Sequence, residues 1–543
     1  MISVSPKHTL SNGISFRPYL ITDRSHTVKS KAVPKDLLNA LANPDAHDAV
    51  HPSPSSLYLG QGAAFPASQQ RCPVWLPASL LDSHMLIAGM IGSGKTTVLF
   101  RLLAGAIRTY GSVVISEAKA GVSGGAEGAA FTNLANYLQL KFPALRVHRW
   151  PRGDCWFNPL LYLKSPQDRR TFLDSICGQI ETHGGITGDL IAFVHNAANI
   201  AEQLIAFMHL QERRGGEPCT LRRLVTYMKD ALGFGRVLQA AIEAEASVAV
   251  KLQLEAISAQ LIMFNFFYQE KAEFAMTRHG VNLFYRMFDH VDLLQFSEPR
   301  EGLHKLEIED ILYHRSLMIV SQPLYDSASA VVGPLFWDSL LARVIELGPV
   351  LESASGTKRQ KVLAVLDETH RLPVGRLGES GDFLREYSLG LVEVTPAIVD
   401  EERWMQNKHV YQTLMSLSPG VPEVVTLMWE RLPNYFLKRA YVQIDADTQD
   451  RTEANLAIRS DYKYQLSDDN PGASVRSLQM TRRYTGLIQS SALDDERKVF
   501  WIDFEDELLA NMKALLQQAL APGCKSDIRR ALDYALGLGE FDG

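Results

Sequence analysis

Glycines, a lysine and a threonine stand at fixed spacing in residues 89–96, where the sequence reads Gly-Met-Ile-Gly-Ser-Gly-Lys-Thr. This spacing lets several backbone N–H groups turn toward phosphate oxygens at the start of a helix. In such a loop Lys95 contacts the β- and γ-phosphates of a nucleotide, and the hydroxyl of Thr96 binds Mg²⁺. The segment therefore predicts a site for ATP and Mg²⁺ formed by Gly89, Gly92, Ser93, Gly94, Lys95, Thr96 and Thr97.

The patterns on either side of the loop favour this site over a simple glycine turn between core elements. Residues 84–89 form an apolar strand pattern, and residues 96–110 have apolar side chains at helical spacing. Residues 112–116 form the next strand pattern. Strand, loop, helix and strand in this order begin a parallel α/β sheet.

Two acidic residues, Asp367 and Glu368, follow an apolar strand pattern at residues 362–366. At the carboxyl end of a parallel strand we expect them beside the bound phosphates. Asp367 would then help Thr96 to hold Mg²⁺, and Glu368 would polarise the attacking water. An exposed Asp-Glu turn is common after a strand, so the pair gains its meaning from the phosphate loop in the same chain.

The positions of the other patterns predict how the chain is divided. The predicted fold class is α/β, a P-loop (RecA-like) parallel sheet flanked by helices, with an inserted all-α domain. The predicted strands include residues 315–321, 361–366, 390–395, 440–444 and 498–502, and the predicted helices include residues 189–211, 220–232, 236–267, 328–347 and 507–537. The predicted segments are an irregular or small β unit at 1–80, the ATPase domain at 81–164 and 301–505, the helical insertion at 165–300, and a helical tail at 506–543.

The composition is that of a soluble globular protein. The 543 residues are 46% hydrophobic and 21% charged with a net charge of -6, which excludes a strongly basic chromatin-type binder. No uninterrupted apolar stretch reaches membrane length and no signal peptide is apparent, which predicts a cytoplasmic protein without its own membrane anchor. The five cysteines are never spaced as Cys-x-x-Cys, which argues against a disulfide framework and a zinc site.

Four segments of the chain resemble the FtsK/HerA superfamily of hexameric DNA motors, in particular TraG/TraD-type coupling proteins and HerA-like translocases. They are the phosphate loop with its strand at 84–97, the acid and lysine at 115–121, the Phe-Asn-Pro-Leu at 157–160, and the Asp-Glu motif at 367–372 with the segment 383–392 that follows it. The resemblance implies a homo-oligomer, a hexameric ring with ATP at its subunit interfaces. It also implies double-stranded DNA as a partner, and a nuclease, relaxase or secretion component as a protein partner.

The resemblance further implies a role for Arg385. An arginine of the corresponding helix in this family acts on the γ-phosphate bound by the neighbouring subunit, where it stabilises developing charge. The alternative for Arg385 is a surface salt bridge with Glu386 or Asp382. The glutamine that senses the γ-phosphate in the family is replaced here by Pro396.

The sequence therefore predicts an ATPase, with Lys95, Asp367, Glu368 and Arg385 as its catalytic residues. The first hypothesis is an ATP-dependent hexameric DNA translocase. The second is a P-loop ATPase that recruits or remodels a protein partner in conjugation, secretion or an anti-phage complex without pumping DNA. The acidic net charge, Pro396 and the large helical insertion motivate it. The third is a nucleotide-gated scaffold with little turnover.

Overall fold

The computed structural model describes residues 3–4, 8–9, 15–16, 19–20, 56–65, 72–118, 130–184, 188–322, 329–348, 359–369, 377, 384–398, 404–405, 408–417, 421–431, 485–490, 499–503 and 512–538. The strands are β1 (Ser3–Val4), β2 (His8–Thr9), β3 (Ser15–Phe16), β4 (Tyr19–Leu20), β5 (Ser56–Phe65), β6 (Cys72–Pro77), β7 (Met85–Ala88), β8 (Gly111–Glu117), β9 (Arg146–Trp150), β10 (Cys155–Trp156), β11 (His304–Lys305), β12 (Ser316–Ser321), β13 (Lys361–Asp367), β14 (Leu389–Thr395), β15 (Thr413–Leu417), β16 (Thr485–Ser490) and β17 (Val499–Asp503).

The α-helices are α1 (Lys95–Thr109), α2 (Ala130–Lys141), α3 (Pro166–Gly184), α4 (Asp189–Arg213), α5 (Leu221–Lys229), α6 (Ala231–Ala244), α7 (Val248–Met263), α8 (Ala275–Arg286), α9 (Val291–Gln295), α10 (Ile308–Tyr313), α11 (Ser329–Leu347), α12 (Pro422–Arg431), α13 (Met512–Leu520) and α14 (Ser526–Ala535). The chain forms two compact units, the first from Met1–Gly111 with Gly390–Gly543 and the second from Ser112–Leu389.

The first unit has the strand order β6-β5-β17-β16-β15-β7-β14. Strands β14, β7 and β15 are parallel, and β16, β17, β5 and β6 continue the order by antiparallel pairing. Helix α12 packs on β7 and β15 through a buried apolar cluster of Leu86, Ala88, Tyr411, Leu414, Val421, Val424, Leu427 and Met428. The partly buried Trp404 packs against this cluster.

Helix α1, which follows the phosphate loop, is buried on most of its surface in the first unit. The side chain of Arg101 is 2% exposed. It donates hydrogen bonds to the backbone carbonyls of Leu59 and Ala535, both at 2.7 Å. Arg108 donates to the carbonyl of Ser56 at 2.9 Å. These bonds join α1 to strand β5 and to the end of α14, because buried carbonyls need a donor when they leave water.

The second unit has the strand order β13-β8-β12-β9, and β12 pairs in parallel with both β8 and β9. Helix α11 packs against β12, and the indole Nε1 of Trp337 donates to Ser116 Oγ at 2.9 Å. Parallel strands with helices packed on them, found in both units, confirm the predicted α/β class.

Helices α3 to α9 stand between β10 and β11 in the second unit. We call them the helical segment. Strand β10 pairs in parallel with β11, with Cys155 beside His304, so the chain enters and leaves this segment at one place. Two hydrogen bonds also join the two ends of the helical segment, since Phe157 N and Trp150 Nε1 both donate to Phe296 O at 2.8 Å. The described residues of 166–303 contain helices and no strand. The predicted boundaries of the five segments stay predictions.

Several predicted helices have different ends in the structure. The hydroxyl of Thr220 accepts the N–H of Arg223 at 3.3 Å and caps the N-terminus of α5. The predicted helix at 220–232 ends at Lys229, because the side chain of Asp230 accepts the N–H of Gly233 at 2.7 Å and begins α6. The predicted helix at 236–267 is interrupted between α6 and α7, and the predicted tail at 507–537 is α13 and α14.

At the N-terminus, β5 and β6 belong to the strand order of the first unit, and β1–β4 form two short antiparallel pairs. The predicted strand at 440–444 lies outside the described residues.

One stretch of α4, Leu190–Arg213, is long and apolar enough to cross a membrane by length and composition alone. Polar residues interrupt the apolar pattern of this stretch, so the sequence shows no uninterrupted apolar run here. The described side chains of Val194, Ile200, Leu204 and Phe207 are fully buried among the helices around it. This pattern is typical of the central helix of a helical domain.

Candidate functional site

The loop between β7 and α1 has the backbone shape that a phosphate-binding loop requires. Gly92 and Gly94 have φ of 86° and 94°, in the left-handed region that favours glycine. Gly94 is the N-cap of α1, and its carbonyl accepts the N–H groups of Thr97 and Val98 at 3.0 and 3.1 Å. Helix α1 therefore begins at the loop with its positive dipole end toward it.

Gly89 stands where the loop leaves β7 and has no room for a side chain. A Cβ atom at this position would lie 2.6 Å from Ser93 Oγ and 2.9 Å from Leu417 Cβ. The hydroxyl of Ser93 is buried and has no hydrogen-bond partner among the described residues. A buried hydroxyl without a partner is costly, and a phosphate oxygen is one group that could satisfy it.

The ammonium group of Lys95 lies inside the loop. Its Nζ donates to the backbone carbonyls of Gly89 at 2.5 Å and Met90 at 3.1 Å, and the residue is buried. The side chains of Thr96 and Thr97 are half-buried beside it. An ammonium ion held by carbonyl oxygens at a helix N-terminus is placed to exchange these neutral acceptors for phosphate oxygens, which carry charge.

Strand β14 runs beside β7 and brings a second strand end to the loop. His84 Nδ1 accepts the N–H of Leu391 at 3.1 Å, and Gly89 N donates to the carbonyl of Thr395 at 3.2 Å. Pro396, which follows Thr395, therefore stands next to the loop. The sequence indicated a strand at 390–395, but only its pairing with β7 shows that Thr395 contacts the loop, so this residue was missed.

The predicted carboxylates belong to the second unit. Asp367 is the last residue of β13 and is 1% exposed, and Glu368 follows it in a turn, half-buried, with φ of 59°. The hydroxyl of Thr369 donates to Leu366 O at 3.0 Å and closes this turn. The other residues of the motif, at 370–372, lie outside the described residues. The placement of Asp367 and Glu368 beside the phosphate loop stays a prediction.

Two further polar side chains stand at strand ends of the second unit. Glu117 ends β8, the neighbour of β13, and its carbonyl accepts the N–H of Gln322 at 2.9 Å, directly after β12. Both side chains are buried. The carboxyl ends of β8 and β12 thus lie side by side, at the edge where α/β sheets bind ligands.

Arg385 begins the short 3₁₀ turn Arg385–Tyr387, which directly follows the helical residue Leu384. Residues 378–383, which precede Leu384, lie outside the described residues. Its side chain is exposed, and in the described part of the chain it makes no ion pair with Glu386. Asp382, the other expected partner, lies outside the described residues. The guanidinium group of an exposed arginine such as Arg385 extends into solvent.

No protein-family model matches the chain, and no curated protein matches it. Among solved structures it is similar to the plasmid coupling protein TrwB in complex with the non-hydrolysable GTP analogue GDPNP, at 10% identity and a TM-score of 0.47, covering 79% of this chain and 87% of that one. TrwB in complex with ADP and Mg²⁺ matches at 12% identity and a TM-score of 0.46, covering 78% and 86%.

VirB4 of Thermoanaerobacter pseudethanolicus matches at 13% identity and a TM-score of 0.42, covering 83% of this chain and 96% of that one. A coupling protein is the kind of protein that the motifs of this chain resemble.

Proposed function

We propose that this chain is a Mg²⁺-dependent ATPase that binds ATP at the loop of residues 89–96. The observation that carries this proposal is the position of Lys95. Its buried ammonium donates hydrogen bonds to the carbonyls of Gly89 and Met90, inside a loop whose glycines adopt left-handed backbone conformations. When ATP binds, Lys95 exchanges these carbonyls for the β- and γ-phosphate oxygens. The backbone N–H groups and the start of α1 bind the remaining phosphate charge.

The carboxylates of Asp367 and Glu368 complete the proposed catalytic site. Thr96 and Asp367 hold Mg²⁺, which when bound neutralises part of the charge on the phosphates. Glu368 accepts a hydrogen bond from the attacking water and orients it toward the γ-phosphate. The end of β13, with its buried Asp367, supports these roles because a buried carboxylate is stabilised by a cation.

The finer function that we propose is a ring-shaped DNA motor, a homohexamer that acts in the cytoplasm. ATP lies at each subunit interface, and Arg385 of one subunit reaches the γ-phosphate bound by the next, where it stabilises charge in the transition state. Its exposed position on a short turn supports a contact outside its own subunit. Hydrolysis around the ring moves double-stranded DNA, which loops of the ring bind through its phosphates.

The first experiment measures phosphate release from ATP by the purified full-length protein, with and without linear double-stranded DNA. Lys95→Ala is compared with Lys141→Ala, which removes an exposed lysine from the end of α2. We expect Mg²⁺-dependent hydrolysis that DNA stimulates, lost in Lys95→Ala and kept in Lys141→Ala. Equal hydrolysis by wild type and Lys95→Ala would rule out the loop as the ATP site.

A second candidate function is an ATPase that recruits or remodels a protein partner without pumping DNA. It is favoured by apolar side chains that the helical segment exposes, Val248 and Leu252 on α7 and Leu232 on α6, which are 57–74% exposed. Apolar side chains that are exposed to this extent are found at protein contact surfaces. Hydrolysis that depends on Lys95 but ignores DNA at low salt would favour this function.

A further inference from the structure

Three side chains with metal-binding atoms meet at the base of the helical segment. They belong to Asp154, Cys155 and His304, and a carboxylate oxygen, the thiol sulfur and a ring nitrogen all lie within 4.8 Å of one another. A fourth side chain, that of His148 on β9, contacts this group, since its Nδ1 lies 2.9 Å from His304 Nε2. None of these residues belongs to the phosphate loop or to the predicted catalytic set.

The backbone holds these side chains together. Cys155 and His304 are direct partners in the parallel pair β10–β11, and His304 N donates to Asp154 O at 3.2 Å. The carboxylate of Asp154 accepts the backbone N–H of Arg149 at 2.8 Å. Gly153 lies so close to Arg149 that a Cβ atom there would overlap its carbonyl. The ligand atoms are therefore oriented by hydrogen bonds and by a tight turn, as ligands of a metal site are.

The donor set selects the class of cation. A cysteine sulfur with an imidazole nitrogen and a carboxylate oxygen suits Zn²⁺ and its substitute Co²⁺, whereas Mg²⁺ and Ca²⁺ prefer oxygen atoms alone. Three protein ligands leave the fourth tetrahedral position for water. Cys155 is fully buried and His304 is exposed, so a cation can enter from the His304 side.

His148 is placed to orient His304. When His304 Nε2 carries the proton and donates to His148 Nδ1, its Nδ1 keeps a lone pair for a cation. The side chain of His148 is 5% exposed, and its Nε2 has no hydrogen-bond partner among the described residues. A metal-binding histidine usually has a hydrogen-bond partner on the ring nitrogen that does not bind the metal, which is the place that His148 takes for His304. Loss of this partner weakens metal binding roughly 10–100-fold.

We propose that Cys155, His304 and Asp154 bind one divalent cation of the Zn²⁺ class, and that His148 positions His304 for this contact. On binding, the Cys155 thiol, whose Sγ lies 3.1 Å from Arg149 O, releases its proton to solvent and forms a sulfur–metal bond. The cation joins the two chain segments that enter and leave the helical segment. The scattered cysteines argued against zinc because they lack Cys-x-x-Cys spacing, but this cluster needs only one cysteine.

The test is a titration of the full-length protein, after chelator treatment and dialysis, with Co²⁺. We expect one equivalent to produce the near-ultraviolet sulfur-to-cobalt charge-transfer band, and Zn²⁺ to remove it. Cys155→Ser loses the band, whereas the matched controls Cys177→Ser and Cys524→Ser keep it. Because the phosphate loop contains no cysteine, a thiolate-to-cobalt band reports on this cluster whatever the loop binds.

Two further variants separate the ligand from the residue that positions it. His304 is exposed, so His304→Ala is expected to fold even if Cys155→Ser does not, and to bind Co²⁺ at least about tenfold more weakly. His148→Ala keeps the charge-transfer band but needs roughly 10–100-fold more Co²⁺ to reach it. The proposal is overturned if the wild type shows no band, if the band survives Cys155→Ser, or if His304→Ala binds Co²⁺ as the wild type does.

Discussion

Glu368 has a backbone conformation that few side chains adopt, with φ of 59° in the turn that follows β13. A residue other than glycine, asparagine or aspartate in this region costs about 1–3 kcal/mol and persists only where the surrounding structure imposes it. Strained residues of this kind are found often at active sites. The observed strain therefore agrees with the proposed role of Glu368 as the residue that orients water.

At Glu368 a conservative substitution separates binding from hydrolysis. Glu368→Gln keeps the shape of the side chain but accepts the water proton poorly, so we expect hydrolysis to fall about 10²–10⁴-fold while ATP binding persists. Phosphate release and titration with a fluorescent ATP analogue measure the two quantities. Glu255→Gln, on the exposed face of α7, is the control. Turnover that is low in the wild type and unchanged in Glu368→Gln would instead support the nucleotide-gated scaffold.

At the scale of the element, α1 is bound to its unit by its own arginines as well as by apolar packing. Arg101 is buried and supplies hydrogen-bond donors to two backbone carbonyls, those of Leu59 and Ala535. Its guanidinium also lies over the ring of Tyr58, with Cζ 4.8 Å from the ring centroid. The helix that begins at the phosphate loop is thus linked to the C-terminal helices of the chain.

This contact predicts a loss of stability at a site outside the loop. Arg101→Met keeps much of the side-chain volume but leaves two buried carbonyls without these donors, which we expect to cost about 2–4 kcal/mol. Urea unfolding followed by circular dichroism measures the cost. Arg170→Met, which removes an exposed arginine from α3, is the control and should leave the midpoint nearly unchanged. Equal midpoints for the two variants would contradict the prediction.

The elements around the loop could be predicted from the sequence because their signals are local. The strand β7, the helix α1 and the strands β8 and β13 all begin and end within about two residues of their predicted limits. Strand β9 was missed because its sequence, Arg-Val-His-Arg-Trp, is rich in charge, and it is a strand because β12 pairs with it. Tertiary pairing here overrides the local pattern.

The break between α6 and α7 and the cluster at the helical segment show a second limit. Apolar spacing continues across the break, but the Glu245 carboxylate accepts the N–H of Ser247 at 2.7 Å, which competes with the helix. The contact of Cys155 with His304 depends on pairing between distant segments. No periodicity within either segment contains that information, so neither feature could be predicted from the sequence.

At the scale of the whole molecule, the proposed ring makes a prediction about mixtures of inactive variants. Lys95→Ala disables the loop of its own subunit, whereas Arg385→Ala disables the site of the neighbour. In an equal mixture, about a quarter of the interfaces combine an intact Lys95 with an intact Arg385, so up to about a quarter of wild-type hydrolysis should return. Phosphate release from subunits mixed before assembly measures this recovery.

A control for the mixing experiment follows from the same geometry. Lys95 and Glu368 are proposed to act within one subunit. In a mixture of Lys95→Ala with Glu368→Gln every subunit lacks one of these two residues, so no interface holds both of them intact. We expect that mixture to stay as inactive as its components. An equal mixture of Lys95→Ala and Arg385→Ala that is no more active than its components would contradict an arginine acting between subunits.

The short parallel pair β10–β11 has a consequence for how such a chain changes over evolution. Because the chain enters and leaves the helical segment at touching residues, the strands on either side need not move when the helices between them grow, shrink or are exchanged. Extra length between fixed ends adds little entropic cost, since that cost rises only slowly with the number of residues. A lineage could therefore exchange this helical segment while inheriting the phosphate loop and strand β13 unchanged.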